Sequence, residues 1–501
     1  MKHRLPKLRR LPTPTLVVLA LVAAGSLTTF GMGAEASVSA TTSGTVLQTN
    51  LVSDLPGVAA VTDPNLVNAW GISASPASPF WVSDNNAGVS TLYQVPGAGN
   101  AAVSINPLVV NIPTPAADTG GTPTGTVFNT DLSKGSFQIT GPNKNGQKVS
   151  APAVFLFVTE DGTIVGWNPG IDPSGHFAGP GGVSADATIA VDNSGNNFTN
   201  PDPSQQTGAV YKGLGIATSN TPIIAGDANS TALLYVSNFR TGTVEVYDTH
   251  FNEVTALPTG AFTDPALPAG YAPFNVQVLN GKVYVSYARQ DADRHDDAAG
   301  PHRGFVDVFN LDGTSGLPGG NVRLISRGPL DSPWGLAIAP QGFAGLSAPG
   351  NDPVLLVGNF GNGFIHAFDA STGSQLGRLD DPDGQPIQID GLWALKVGNG
   401  AAGGDPNAVY FTAGPFGESH GLFGSLSTVA KGSPEGSAEA QWVQANLDVV
   451  QLDLQVLAED SASGASPATI KQDARTLNAD TRHLLRVQRA FGKDAIADTT
   501  Q

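Results

Sequence analysis

The chain has 501 residues, with 25 Lys and Arg against 42 Asp and Glu, and a formal net charge of -17. Only 13% of it is charged and 40% is hydrophobic, while Gly (61) and Pro (37) are abundant without a glycine at every third position. This excludes a basic nucleic-acid module, a charged disordered tail and a collagen-like chain, and leaves a large, folded, turn-rich protein.

Residues 1–36 read as a cleavable export signal. Lys2, Arg4, Lys7, Arg9 and Arg10 form a basic start, Leu16 to Leu27 is an uncharged, mostly apolar run, and Ala34-Glu35-Ala36 offers the small-x-small pattern of a cleavage site. The apolar run falls short of the roughly 20 residues that span a bilayer. Arg9-Arg10 keeps a twin-arginine route open beside the general secretory one. Cleavage removes five basic residues and one acidic one, so the mature chain is more acidic than its precursor. With no Cys it has no disulfide, thiol nucleophile or cysteine metal site. Its expected location is extracellular or periplasmic, with no membrane span after cleavage.

From Thr45 onward the chain repeats. A Gly is followed five positions later by an aromatic or large apolar residue in Gly88/Tyr93, Gly162/Trp167, Gly242/Tyr247, Gly304/Phe309, Gly363/Phe368 and Gly421/Leu426. A β-rich run precedes each Gly, as in Phe80-Trp81-Val82 and Val409-Tyr410-Phe411, so each pair predicts a hairpin. Upstream lies a third element: Trp70-Gly71-Ile72, Leu214-Gly215-Ile216, Phe274-Asn275-Val276, Trp334-Gly335-Leu336 and Trp393-Ala394-Leu395. The inner strand of one further unit is expected at Thr124 to Asn129, and fourth strands at Leu108–Ile112, Ala187–Val191, Glu253–Leu257 and Val322–Ser326. Four strands repeated six times predict an all-β, six-bladed β-propeller over 37–430. The last unit lacks a fourth strand and Thr45–Val52 is an unassigned one, so the N-terminal strand is expected to close the last blade.

Past the linker Gly432-Ser433-Pro434-Glu435-Gly436, apolar residues recur at helical spacing from Val443 to Leu457 and from Ile470 to Phe491. They predict a C-terminal α-helical hairpin within 431–501, a cap on the propeller or an element for self-association.

Chemistry is expected on the face shared by the second-to-third-strand loops. Asp84, Glu160, Asn238, Asn359 and Glu418 come from different blades and could converge on a calcium-type divalent cation. The alternative is that Asp and Asn serve the turns themselves. The longest of these loops, Arg289 to Arg303, concentrates Asp291, Asp293, His295, Asp296, Asp297 and His302. Asp291-x-Asp293 starts like a calcium loop, but Asp296 and His302 stand where an EF-hand needs Gly and Glu. Zinc-protease, phosphate-loop and nucleophile-elbow signatures are missing, and Gly398-Asn399-Gly400-Ala401-Ala402-Gly403 precedes a strand rather than a helix, so it reads as a turn. Trp334 and Trp393 read as packing wedges.

Residues 45–427 resemble a family of exported bacterial propeller proteins, some of whose members end in a PEP-CTERM sorting signal. The likeness rests on Asn65-Leu66-Val67-Asn68-Ala69-Trp70-Gly71-Ile72, Phe80-Trp81-Val82-Ser83-Asp84-Asn85, Gly358-Asn359-Phe360-Gly361, Asp390-Gly391-Leu392-Trp393-Ala394-Leu395 and Glu418-Ser419-His420-Gly421-Leu422-Phe423-Gly424. The Pro-Glu-Pro, membrane helix and basic tail of that signal are replaced by the helical pattern. The resemblance implies a fold and no activity. Two functions follow as expectations. The first is a non-catalytic propeller that binds an extracellular ligand. The alternative is a metal-dependent lactonase- or esterase-like hydrolase in which His295 or His420 moves protons.

Overall fold

The computed structural model describes residues 44–97, 102–116, 120–195 and 208–429, together with position 476. The export signal at 1–36 and the helical hairpin expected within 431–501 lie outside the described residues. What is described is all-β apart from short 3-10 turns. Sheet I comprises Ala69–Ser73, Phe80–Asp84, Val89–Gln94 and Ser104–Asn111. Sheet II comprises Pro123–Phe128, Phe155–Thr159, Thr163–Trp167 and Thr188–Asp192. Sheet III has three strands, Tyr211–Thr218, Ala232–Asn238 and Thr243–Tyr247. Sheet IV is formed by Tyr271–Leu279, Lys282–Arg289, Phe305–Phe309 and Arg323–Ser326, and sheet V by Pro333–Ile338, Val354–Asn359, Ile365–Asp369 and Gln375–Asp380. Sheet VI takes Leu392–Val397, Val409–Ala413 and Leu422–Thr428, and its outer strand comes from the other end of the described chain, Gly44–Ser53.

Strands within each sheet are antiparallel neighbours, and the first strand of every sheet packs against the first strand of the next. The series runs from sheet I to sheet VI and returns to sheet I, which makes the architecture propeller-like. The N-terminal strand closes the circle in register, from Val46 opposite Thr428 to Ser53 opposite Leu422. Its Val46 and Val52 are fully buried, so closure adds apolar contact as well as a ladder.

Two details differ from the sequence reading. Glu253–Leu257 is not a strand: Asp248 accepts from the backbone N–H of His250 (2.8 Å) and Asn252 (2.9 Å), turning the chain, and a single bridge joins Tyr247 to Glu253. Sheet II also carries an unanticipated hairpin, Gln138–Pro142 with Lys148–Pro152, between its first two strands.

The inner strands share a feature that no repeat spacing revealed. In five of them the pairing to the second strand slips between Ala69 and Ile72, Tyr211 and Gly213, Pro273 and Asn275, Pro333 and Gly335, and Leu392 and Leu395. These are β-bulges, which redirect a side chain out of the regular pleat. The residues at the slips are Trp70, Lys212, Phe274, Trp334 and Trp393. The sequence repeat had aligned Leu214 with the aromatics; the bulge puts Lys212 in that position, two residues earlier. The sixth, in sheet II, slips in the same way between Pro123 and Thr126, where Thr124 and Gly125 stand opposite Val158 alone.

Neighbouring inner strands approach so closely that side chains are excluded at some positions. A Cβ on Gly71 would collide with the Thr124 carbonyl oxygen, and one on Gly125 with the backbone of Leu214 and Gly213. Gly125→Ala is therefore expected to destabilise the protein by about 1–3 kcal/mol or more, because the obstacle is backbone that cannot rotate away. Gly170→Ala, exposed and meeting only Asn168 Oδ1 at 3.4 Å, is expected to stay within about 0.5 kcal/mol of wild type. Urea denaturation of the two variants checks this, and equal midpoints would contradict the tight ring.

Candidate functional site

The inner strands all begin at one end of the channel, here the upper mouth, where the second-to-third-strand loops also lie. Just inside it the bulged aromatics meet. Trp70 and Trp393 stack at 3.6 Å between ring centroids, Trp334 stands edge-on to both at 6.5 and 5.9 Å, and Phe360 stacks on Trp393 at 3.9 Å. Phe274 completes the group at 5.8 Å from Trp393. The tryptophans are at most 2% exposed, so they form a packed plug rather than an exposed platform.

Lys212 stands where sheet III would have supplied another aromatic. Its side chain is 1% exposed, and its ammonium lies 5.0 Å from the centre of the Trp70 ring. It bonds to Glu160 Oε1 and, at 3.0 Å, to Asp296 Oδ1. Burial alone would push this ammonium toward its neutral form; the two carboxylates outweigh burial and hold it protonated, above the ordinary lysine range.

A hydrogen-bonded chain of side chains spreads from that ion pair. Asn85 Nδ2 donates to Glu160 Oε2 at 2.9 Å, and Asn68 Nδ2 donates to Asn85 Oδ1 at 3.3 Å and to Glu418 Oε2 at 3.1 Å. Trp393 Nε1 donates to Asn68 Oδ1 at 2.9 Å, which ties the polar layer to the plug beneath it. On the other side His295 Nδ1 lies 2.9 Å from Asp296 Oδ1. The long loop that carries Asp296 is anchored: Ala298 N–H donates to Arg289 O (2.7 Å), Gly300 N–H to Asp331 Oδ1 (2.6 Å), and Arg303 Nη1 to the Ala298 and Ala299 carbonyls (2.9 Å each).

Three carboxyl groups within this electrostatic neighbourhood are divided in character. Glu418 is pushed up to about 7, by burial first and then by Glu160, Asp296 and Asp297, against the pull of Lys212. Asp297 is pushed up to about 6, mainly by burial, although the Ser332 hydroxyl and Lys212 favour its ionised form. Burial would also raise Asp296, but the hydrogen bond from His295 and the charge of Lys212 hold it well below the usual carboxylate range. Asn68, Ser332 and Glu418 have positive φ (50°, 47° and 70°), a conformation that costs a residue other than glycine of order 1–3 kcal/mol. Trp70 Nε1 and Asn359 Oδ1, both buried, have no hydrogen-bond partner among the described residues.

The nine residues singled out from sequence are distributed unevenly. Glu160, His295 and Glu418 belong to the cluster. Asp84 is buried within sheet I, accepting from Thr91 N–H at 3.0 Å, and its carboxyl is pushed well up by burial, with Asp63 adding to it. Asn238 is held by Glu245 (2.7 Å), and Asn359 by the Pro329 carbonyl (2.9 Å) and Asn362 (3.1 Å). Asp291 accepts from His295 N–H (3.0 Å), and both Asp291 and Asp293 act on Arg240. His420 Nδ1 pairs with Asp54 at 2.7 Å instead of turning to the channel. Lys212 and Asn68 were not anticipated as site residues. The signal for Lys212 was its being a charged residue next to an inner-strand glycine, Gly213, in a series otherwise apolar or uncharged.

For a cation, the best grouping is Glu160, His295 and Asp296, whose ligand atoms can lie within 4.8 Å of one another. Lys212 already contacts both carboxylates. A divalent ion there would face a fixed ammonium, a repulsion of about 4 kcal/mol per unit charge at 4 Å in a surface-like dielectric. The donor set fits the ammonium and does not fit a calcium-type ion as well.

The fold and this cluster define an all-β, propeller-like protein whose channel is plugged by aromatics and roofed by an ion-pair network. The chain is 31% identical over 381 residues to uncharacterized protein R648 of Acanthamoeba polyphaga mimivirus, covering 75% of this chain and 78% of the relative. It is also 31% identical over 383 residues to uncharacterized protein L690 of the same virus, covering 75% and 84%. It belongs to the family of these viral proteins. That corrects the resemblance drawn from the sequence motifs: the curated relatives are mimiviral rather than exported bacterial proteins, and nothing in them points to a PEP-CTERM signal. No family model matches the chain. Among solved structures it is similar to a glucose dehydrogenase (12% identity, TM-score 0.39, 76% of this chain and 100% of that one). It is also similar to the GH93 alpha-L-arabinofuranosidase of Fusarium graminearum (11%, TM-score 0.42, 76% and 98%). At these scores neither bears on activity.

Glu418 supplies a pH test of the cluster. Its carboxyl titrates near 4.5 in the unfolded chain and at about 7 in the folded one, so between those values the folded state holds the extra proton. The stabilisation is complete below about pH 4.5 and is lost as pH rises through 7. The difference in unfolding free energy between wild type and Glu418→Gln is therefore expected to fall over that window and to be flat outside it. Urea melts at stepped pH measure it, and a difference that rises with pH would contradict the burial of this carboxyl.

Proposed function

We propose that this protein is a six-bladed β-propeller that binds a ligand at the upper mouth of its channel without metal catalysis. The observation that carries the reading is Lys212, a buried ammonium that replaces an aromatic of the plug and fills the position a metal ion would need. Removing a charge from water is costly, and replacing such a pair by apolar groups is often neutral or stabilising, so stability alone gives little reason for a lysine here. The positive φ values at Asn68, Ser332 and Glu418 and the unpartnered Trp70 Nε1 point the same way. Lys212 is already engaged by Glu160 and Asp296, so the groups left for a ligand are mainly acceptors. A donor-rich ligand, hydroxylated or cationic, suits them better than an anion.

Thermal melting of the full chain tests this. A donor-rich ligand such as an amino sugar or a polyamine at about 100 times its Kd is expected to add roughly 2.7 kcal/mol of stability. Chelator and added calcium are expected to leave the melting temperature unchanged. One equivalent of a co-purifying divalent ion, with a lower melting temperature after chelation, would overturn the metal-free reading.

A second reading rests on the divided carboxyls. Near neutral pH Glu418 is still partly protonated while Asp296 is ionised, and groups pushed apart in this way are how acid and base roles are assigned in one site. This reading is a metal-independent acid–base hydrolase with Glu418 as proton donor. It expects turnover in an ester and glycoside screen that is insensitive to chelator and falls about 100-fold or more in Glu418→Gln. A screen with no turnover leaves the binding propeller as the function.

A further inference from the structure

Below the aromatic plug the channel widens again into a cavity of about 260 Å³, walled by inner strands of sheets I, II, IV, V and VI. Its polar lining includes Thr126, Gln277, Asn280 and Lys396. Lys396 is the second lysine set into the inner ring, and it differs from Lys212 in one respect. Lys212 is met by two carboxylates; Lys396 makes no ion pair or hydrogen bond among the described residues. Burial, unopposed by any acid, pushes its ammonium below the ordinary lysine range. The contrast is sharp in a chain with 42 acidic residues.

We propose that this lower cavity is a binding site for a small oxyanion, a carboxylate or a phosphate, held by Lys396. The Lys396 side chain is partly buried in the cavity wall and its ammonium has no counter-ion among the described residues, so an anion from solution would supply the missing charge. The Gln277 and Asn280 side chains, from sheet IV and the turn after its inner strand, carry amide N–H donors, which suit oxyanion oxygens. Thr126 Oγ1 is already linked to Ser73 Oγ at 3.1 Å, so it contributes less. The cavity is large enough for a phosphate or a short carboxylate with part of its hydration. This site is separate from the one at the upper mouth, because the stacked tryptophans lie between them, and it prefers the opposite ligand charge.

The test is isothermal titration of the full chain, in buffer free of oxyanions, with inorganic phosphate and separately with acetate. One equivalent of at least one of them is expected to bind. Preference for phosphate assigns the site to phosphates, and preference for acetate assigns it to carboxylates. Lys396→Met is expected to weaken that binding about tenfold or more, yet to melt no lower than wild type without anion, since the unpaired charge is gone. Lys396→Arg, which keeps the charge, is expected to retain binding. Should Lys396→Met fold poorly, reductive ¹³C-methylation of the wild type gives a second readout: one dimethyl-lysine resonance, missing from the Lys396→Arg spectrum, should move on adding anion. Failure of both anions to bind, or binding unchanged in Lys396→Met, would overturn the proposal. Lys212 and Glu418 variants should leave this affinity unchanged, so its failure is distinct from failure of the upper site.

Discussion

The close approach of the inner strands around one axis governs what this protein can place in its channel. At Gly71 and Gly125 the neighbouring backbone leaves no room for a Cβ, so the ring is tight at the level of the main chain itself. A regular strand would direct its side chains into the interfaces between sheets. The bulges in five inner strands break that pattern and bring Trp70, Lys212, Phe274, Trp334 and Trp393 together near the axis. Two stacked indoles, a third edge-on to both and their phenylalanine neighbours then fill the space that the ring leaves, each buried aromatic contributing on the order of 1.5–3 kcal/mol.

The replacement of one aromatic by Lys212 accounts for the chemistry at the upper mouth. An ammonium in that position must be paired, and the partners come from two loops far apart in sequence, Glu160 from sheet II and Asp296 from sheet IV. Burial first, and then the carboxylates gathered around the lysine, push Glu418 and Asp297 up, while the His295 hydrogen bond and the Lys212 charge hold Asp296 down. The long Arg289 to Arg303 loop then has a structural reason for its length, since it must reach inward from sheet IV to the lysine of sheet III. The plug separates this acidic roof from the lower cavity, where the other inner-ring lysine has no acidic partner among the described residues.

The fold was legible to a large degree. The hairpins, the order of the inner strands and the closure of the last sheet by the N-terminal strand all followed from period-two patterns and turn residues, which are local properties. The fourth strand expected at Glu253–Leu257 failed because the Asp248 turn and Pro258 leave little extended chain to pair. The site was legible only in part. Glu160, His295 and Glu418 were within reach because loop carboxylates and histidines are conspicuous, but Asp84, Asn238 and His420 looked equivalent and are engaged within sheet I, in a turn and by Asp54. Lys212 was missed because the repeat pattern can be aligned on Leu214-Gly215-Ile216 as well as on Lys212-Gly213-Leu214, and a bulge leaves no mark on apolar spacing.

Sequence by itself determined the repeat, the all-β class, the turn positions and the acidity, since each depends on residue types read a few positions at a time. Tertiary structure decided which side chain of each inner strand reaches the axis and which carboxylates share a lysine. It also decided which lysine goes unpaired. Those outcomes depend on how six strands meet around a narrow channel, and the residues concerned, such as Asn68 and Glu418, stand 350 positions apart in the chain.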